Sequence, residues 1–541
     1  MFSLFKRFWN SETDNVTTAA LIVGAASFVS RIVGVVRDRI LASTFGAGDV
    51  LDAYYAAFKI PDFLYNLVIL GALSAAFIPV FTEYLEKKDR HEAWRLAERV
   101  LSIVAGVMIV SSIVLFFFMP SLMHLIAPGF SGEKYLLTLQ LSRIMLLSTS
   151  VLALSAVMGG ILQATRRFIA FSLAPVFYNI GIIFGILILV PNIGPAGLGW
   201  GVVLGALLHF ATQAGVAMRM GLERIPFPSF RHEGVRRILT LMAPRTMGLA
   251  VMQVNLVVIL ALATTLASGS VAVMNLAMNL QAVPIGIFGI SFAVAAFPAL
   301  SRAAGRGDKE SFREAFGSTA RKIVFLVLPV ATLMLILRAQ IVRLILGEGH
   351  FDWDDTIRTA DALAIFGFSM IAQAIVPLLS RGFYALQNTW TPLWIGIASE
   401  GANIVLAFAL VGTYGLYGLV FAFSIAAWIS LFLLWWRLRA QQGSLGTAEV
   451  WRSFLRTMAA CFILAGVALP VRIWIGTLFP LRATWQVLLQ GGLASIVGLV
   501  AFYLASRIMR SRELDEFQRA LVRKFWKKNV LIEGAEEAQG R

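Results

Sequence analysis

Only one cysteine, Cys461, occurs in 541 residues, and it lies in an apolar segment. That excludes a disulfide framework and a thiolate-held metal. The five histidines (His91, His124, His209, His232 and His350) are scattered without ligand spacing. Charge is scarce too, at 14% of residues, where a soluble chain carries about 25%. With 58% hydrophobic residues and a mean hydropathy of +0.79, a soluble enzyme is excluded and a polytopic membrane protein is expected. Enzyme signatures are missing: there is no HExxH, GxSxG or P-loop, and no acidic pair at a membrane edge. The opening MFSLFKRFWNSETDN lacks the small-residue cleavage pattern of a signal peptide. The acidic LGEGHFDWDD lacks EF-hand spacing and reads as external charge balance, so no metal site is expected.

What is abundant is the long apolar run. A spanning helix needs roughly 20 such residues. Fourteen runs qualify, near 19–43, 53–82, 98–124, 136–162, 168–190, 197–219, 238–266, 271–300, 322–346, 358–385, 391–411, 416–436, 454–478 and 484–507. Alternate connections are rich in Arg and Lys, such as YLEKKDRHEAWRLAER and MRMGLERIPFPSFRHEGVRR; those between them are short, Gly-rich or acidic, such as TFGAGDVLD and VPNIGPAG. The excess of cations on one side predicts both termini in the cytoplasm and explains the net charge of +16 without nucleic acid.

The chain also echoes itself. Gln163 and Asn179 recur as Gln387 and Asn403 at an offset of 224, and Gly46 and Pro61 recur as Gly269 and Pro284 at 223. Six spans restore the starting orientation, so the repeats are parallel. An all-α fold is expected, with an N-terminal lobe (1–225), a C-terminal lobe (226–441), and an appendage (442–541) of two spans and a basic tail. In that tail Leu514, Phe517, Leu521 and Phe525 recur at helical spacing between cations, which suits an interfacial anchor.

Against this background the stretch SFVSRIVGVVRDRILASTFG is anomalous, because Arg31, Arg37, Asp38 and Arg39 interrupt a spanning run. Intramembrane charge costs several kcal/mol or more. Gly24, Ser27, Arg31, Gly34 and Asp38 step by three and four and so share one small, polar helix face. Arg39, near the outer end, is explained by snorkelling. Arg31 lies too deep for that, and the expected use is a water-filled cavity whose cations attract an anionic head group through bidentate bonds to phosphate. Asp52, Lys59 and the kink-forming Pro61 follow in the second run. Arg245, after Pro244, is the deep cation of the second lobe. Glu400 and Asn403, three apart on one helix, are weighed as a coupling-ion site (sodium or a proton) against helix-to-helix hydrogen bonding. Asn179 is expected to pack helices.

The segments SRIVGVVRD, FGAGDVLDAYYAAFKIPDFL, AFIPVF and FYALQNTWTP resemble the lipid II flippase family, MurJ (also called MviN), of the wider multidrug, oligosaccharidyl-lipid and polysaccharide exporter group. The resemblance implies export of a polyprenyl-diphosphate-linked peptidoglycan precursor across a bacterial inner membrane, with no ATP and with cell-wall synthesis machinery as the expected surroundings. It implies that Arg31, Arg37, Asp38 and Asp52 line the cavity, with Lys59 in register, and that the last two spans form a groove for the lipid tail. Where the family carries an arginine and a glutamate in the second and eighth spans, this chain has Tyr65 and Leu70, and Asn279 and Ala282. Arg245 is the expected replacement for the missing second-lobe cation. Rival readings are a flippase for another polyprenyl-linked oligosaccharide, a drug or cation exporter, which calls for acidic rather than cationic deep charges, and a non-transporting cell-wall scaffold.

Overall fold

The computed structural model describes residues 16–70, 76–87, 89–222, 228–479 and 483–519, the side chains of 16–21, 70 and 243–252 excepted. No strand occurs among the described residues. In lipid every backbone N–H and C=O must be satisfied within the segment, which leaves the helix as the form for these apolar runs. The helices are α1 (Val16–Phe45), α2 (Asp49–Ala57), α3 (Lys59–Tyr65), α4 (Ile78–Lys87), α5 (Arg90–Ile126), α6 (Gly132–Ala164), α7 (Phe168–Ile193), α8 (Ala196–Arg219), α9 (Glu233–Thr264), α10 (Ser270–Gly305), α11 (Lys309–Ile336), α12 (Arg338–Ile345), α13 (Trp353–Ala385), α14 (Trp390–Tyr414), α15 (Leu416–Gln442), α16 (Thr447–Leu478) and α17 (Thr484–Ile508).

Eleven of these, α5 to α8, α10, α11 and α13 to α17, are long and apolar enough to cross a membrane. Each coincides with one of the fourteen expected runs. The runs at 19–43 and 238–266 fall on α1 and α9, helices of 30 and 32 residues. The run at 53–82 is fractured into α2, α3, a π-helical stretch Asn66–Leu70 and α4. Pro61 is one cause: its missing N–H orphans the Ala57 carbonyl, which instead accepts from the Ser142 hydroxyl of α6 at 3.1 Å. The same logic explains Arg143, an arginine inside α6. Pro120 in α5 orphans the Phe116 carbonyl, and the Arg143 Nε–H donates to it at 3.3 Å while the guanidinium stacks over the Phe116 ring. Pro284, at the repeat offset from Pro61, also leads into a π-helical stretch, Ile285–Ile290.

The chain forms two compact units, one of Met1–Leu276, Ile345–Thr359 and Glu400–Ala422, the other of Ala277–Leu344, Ala360–Ser399 and Phe423–Arg541. In the first unit, α7 and α8 meet backbone to backbone through small residues, as membrane helices do when apolar surface supplies no driving force. A Cβ on Gly181 would lie 2.3 Å from the Gly205 backbone, and one on Gly185 would lie 2.4 Å from the Gly201 Cα. The other side of α7 carries α1.

In the second unit the α16–α17 hairpin packs on α11 around Phe325, Cys461, Leu464, Ala494 and Phe502. Its remaining faces present Phe462, Leu488 and Ile496 outward. Exposed Trp451 and Trp474, 23 residues apart on α16, are separated by about 34 Å of helix, close to one hydrocarbon thickness, and suit interfacial belts. A short helix over 512–519 buries Leu514 in the same core and joins α11 through Glu513–Arg321 (3.3 Å) and Glu516–Lys322 (3.0 Å). Phe517 of this helix is exposed, and Leu521 and Phe525 lie outside the described residues.

The glycine seam makes a paired prediction. Gly181→Ala lowers the midpoint of thermal unfolding in detergent, an overpacking cost of about 1–3 kcal/mol. Gly215→Ala in α8, where a Cβ meets nothing within 4 Å, leaves the midpoint unchanged or raises it.

Candidate functional site

Arg31 projects from the polar stripe of α1, and that stripe is open. Gly24, Ser27 and Arg31 are exposed, Gly34 is half-buried, and a Cβ built on Gly24 or Gly34 meets no atom within 4 Å. Only toward its end does the stripe turn inward: Asp38 is buried. There the Arg37 guanidinium donates to one Asp38 carboxylate oxygen through Nε (3.0 Å) and Nη2 (2.7 Å), and through Nη1 to the Asn179 side-chain carbonyl (2.9 Å). Asn179 in turn donates to Pro175 O within α7. Asn179 thus ties α7 to α1, as its sequence context suggests, and it does so through the cation.

The turn of α3 brings Lys59, Asp62 and Tyr65 onto one side at a spacing of three. Asp62 is exposed and Lys59 and Tyr65 are half-buried, and Lys59 and Asp62 act electrostatically on each other. Tyr178 of α7 lies within electrostatic reach of Asp62, Arg37, Tyr54 and Tyr65. Neither the Lys59 nor the Asp62 side chain makes a hydrogen bond or close ion pair among the described residues. Asp62 is the functional candidate that sequence reading passed over. Its signal was an acid one turn after a lysine in KIPDF, hidden behind the adjacent kink-forming proline.

Asp52 is placed differently. Only 1% exposed, it sits at the N-terminus of α10, where the helix dipole and unpaired N–H groups favour an anion. Its carboxylate accepts from Gly269 N (2.7 Å), Ala272 N (2.8 Å) and Lys134 Nζ (2.7 Å). Asp49, one turn earlier, accepts from Lys134 Nζ and Ser268 Oγ, both at 2.7 Å. Around this pair other segments lock together. Ala47 N donates to Asp355, His350 N to Ser43 O, Arg39 to Glu348, and Arg358 to Ser268 O. The backbones are nearly in contact: a Cβ on Gly269 would lie 1.8 Å from Ala47 O, and its φ of +82° is itself left-handed. Only glycine fits there. Gly46 and Gly269, paired by the sequence offset, are therefore both parts of one clasp that joins the α1–α2 turn, the α9–α10 turn and the loop before α13.

The remaining expected site residues divide. Asn279, of the second unit, is exposed on α10. Arg245 lies outside the described residues. Glu400 is half-buried on α14, and Asn403, 1% exposed, donates to the Asn255 side chain of α9 at 3.2 Å. No group of three or more His, Cys, Asp or Glu that could hold a metal occurs among the described residues.

The clasp yields two predictions. Asp52→Asn removes a charge from three buried donors, worth about 1.5–3 kcal/mol for a charged hydrogen bond. Amide exchange at Gly269 and Ala272 then quickens about tenfold or more; unchanged exchange would show that the clasp does not depend on this carboxylate. The Lys134 ammonium and the Ser268 hydroxyl hold Asp49 below the usual carboxylate range. A depressed pKa contributes stability above the ordinary carboxylate value that is lost as pH falls through the lowered folded value. The same amides accordingly loosen on acidification, and Asp49→Asn abolishes that part of the pH response.

The lipid II flippase MurJ family model matches residues 41–485. A probable lipid II flippase MurJ of Rhizobium meliloti (strain 1021) is 30% identical over 422 residues, covering 76% of this chain and 78% of the relative. That of Rhizobium tropici is 27% identical over 529 residues, covering 93% and 96%. Among solved structures, a lipid II flippase MurJ in an inward closed conformation aligns with TM-score 0.75 at 24% identity, covering 93% of this chain and all of that one. An inward-facing multidrug resistance MATE family transporter of the MOP superfamily aligns with TM-score 0.67 at 18% identity over 79% of this chain, a likeness of fold alone. With a family match across most of its length, the chain belongs to the lipid II flippase MurJ family.

Proposed function

We propose that this lipid II flippase, a multi-pass inner-membrane transporter and not an enzyme, carries its cargo head group outward by alternating access. The observation that carries the reading is the polar face of α1, with Arg31 exposed on it, and Lys59 half-buried on α3. An anionic diphosphate meets Arg31 and Lys59 first. Arg37, oriented by Asp38 and Asn179, supplies a second, fixed guanidinium, and Arg245 extends the set from the C-terminal lobe. The cationic character of this set favours an anionic cargo over the drugs and cations that acidic cavities take.

In this scheme fourteen spans leave both termini in the cytoplasm, because the cation-rich connections then lie inside. The clasp of Asp52, Gly269 and Lys134 lies at the outer end and seals it while the head group loads from the cytoplasmic side. Rocking of the two six-span lobes (1–225 and 226–441) breaks the clasp and opens the site outward. The polyprenyl tail stays in lipid along the outward-facing apolar surface of α16 and α17. An inside-negative potential drives the anionic head outward, worth about 2.3 kcal/mol per charge per 100 mV, so the cycle needs no ATP. We assign any coupling sodium ion or proton to Glu400 and Asn403.

The test is leaflet-resolved detection of the lipid-linked precursor. Depletion of the protein accumulates precursor on the inner leaflet; for a non-transporting scaffold it does not. Arg31→Ala lowers outward movement roughly 10- to 100-fold, the effect of losing a charge-assisted bond of about 1.5–3 kcal/mol, and Arg31→Lys recovers only part because a point charge replaces a planar fork. Normal transport by Arg31→Ala removes Arg31 from the site.

A further inference from the structure

Two arginines meet the consecutive carbonyls that end α11. Arg472 of α16 donates through Nη1 to Ile336 O at 2.7 Å, and Arg338 of α12 through Nη1 to Leu335 O at 3.3 Å. Arg338 also donates through Nε to Asp361 of α13 at 3.2 Å, so two cations share one carboxylate. A single cation suits the end of a helix, whose dipole is negative there; a second beside it adds repulsion of like charges. Of the five N–H donors of a guanidinium, these contacts occupy one on Arg472 and two on Arg338. Arg472 is pinned all the same. Its backbone carbonyl accepts from Gln490 Nε2 of α17 at 2.9 Å, and Gln490 Oε1 accepts from Gln340 Nε2 of α12 at 2.8 Å. Gln490 and Gln340 are 4% and 5% exposed, and a Cβ on Gly476 would lie 2.4 Å from Gln490 Nε2. An arginine that only snorkels to water needs no such buried scaffold.

Arg472 also sits at head-group depth. It precedes exposed Trp474 by two residues, and exposed Trp485, packed edge-on against Phe479 at 5.5 Å between ring centroids, opens α17. Such tryptophans mark the membrane–water interface. From there the outward Leu488, Ile496 and Phe462 run along the hairpin. We infer that Arg472, with Arg338 beside it, binds the phosphate of a lipid whose hydrocarbon chain lies along the α16–α17 hairpin. The planar guanidinium fork matches phosphate oxygens. An anion between the two groups takes up their spare donors and offsets their repulsion. A membrane phospholipid and a polyprenyl diphosphate both offer this chemistry. The site lies wholly within the second unit and does not depend on the transport reading.

The experiment offers the full-length protein, in maltoside micelles, three lipids with a photoreactive diazirine at the head of the chain. They are phosphatidylglycerol, a polyprenyl diphosphate and phosphate-free diacylglycerol, and crosslinks are mapped by peptide. Wild type labels residues 468–479 about tenfold more with a phosphate lipid than with diacylglycerol, the scale of a hydrogen bond to a charged group. Arg472→Gln removes that excess. Arg472→Lys, which keeps a charge but not the fork, retains part of it and shows that the hairpin folds. Arg338→Gln, which leaves the Arg472 contact to Ile336 in place, lowers the excess as well and is the measure where Arg472→Gln does not fold. Greater labelling by the polyprenyl diphosphate makes this a station for the transported lipid. Equal or greater labelling by phosphatidylglycerol makes it a site for membrane phospholipid. Equal labelling by diacylglycerol, or an excess that neither variant lowers, overturns the inference and leaves the flippase reading untouched.

Discussion

Taking charge out of water is the constraint that organises this molecule. A guanidinium within an apolar bundle persists only if it keeps water or meets a fixed partner. The first unit does both on neighbouring turns of one helix. Arg31 is exposed on a stripe of glycine and serine, and Arg37 is held by Asp38 and Asn179. The same rule disposes of the other buried charges. Arg143 satisfies a carbonyl that Pro120 orphaned, and Asp52 terminates the exposed N–H groups of α10.

The clasp and the polar stripe of α1 are joined through the chain itself. Asp38 and Arg39 are consecutive on α1, one turned toward Arg37 and the other toward Glu348. Lys59 and Asp62 follow Asp52 by about two and three helical turns. A rotation of α1 or a change in the bend at Pro61 therefore reaches both places at once. The clasp is assembled from hydrogen bonds to backbone N–H groups and from glycine contacts rather than from a deep apolar core.

Much of this was legible in the sequence where the physics is local. Helical periodicity put Arg31 on a small polar face, and eleven apolar runs became long helices at the expected places. Proline at 61 announced the fracture of the second run. Where partners are distant in sequence, reading stopped. Nothing near Asp52 shows that its donors are the amides of Gly269 and Ala272, more than two hundred residues on, so it was grouped with the cavity cations. The shared offset of Gly46 and Gly269 was read as a trace of duplication, and the additional fact that these backbones touch follows only from the folded chain.

The central claim is that Arg31 lies on a wet, inward-reached surface rather than in lipid or sealed protein. Its most direct test is to replace Arg31 by cysteine in a Cys461→Ala background and label it with a membrane-impermeant, positively charged thiol reagent in vesicles of known orientation. The account predicts rapid labelling from the cytoplasmic side, slowed when a polyprenyl diphosphate is present. Absence of labelling from either side, under conditions where a loop cysteine reacts, would contradict it.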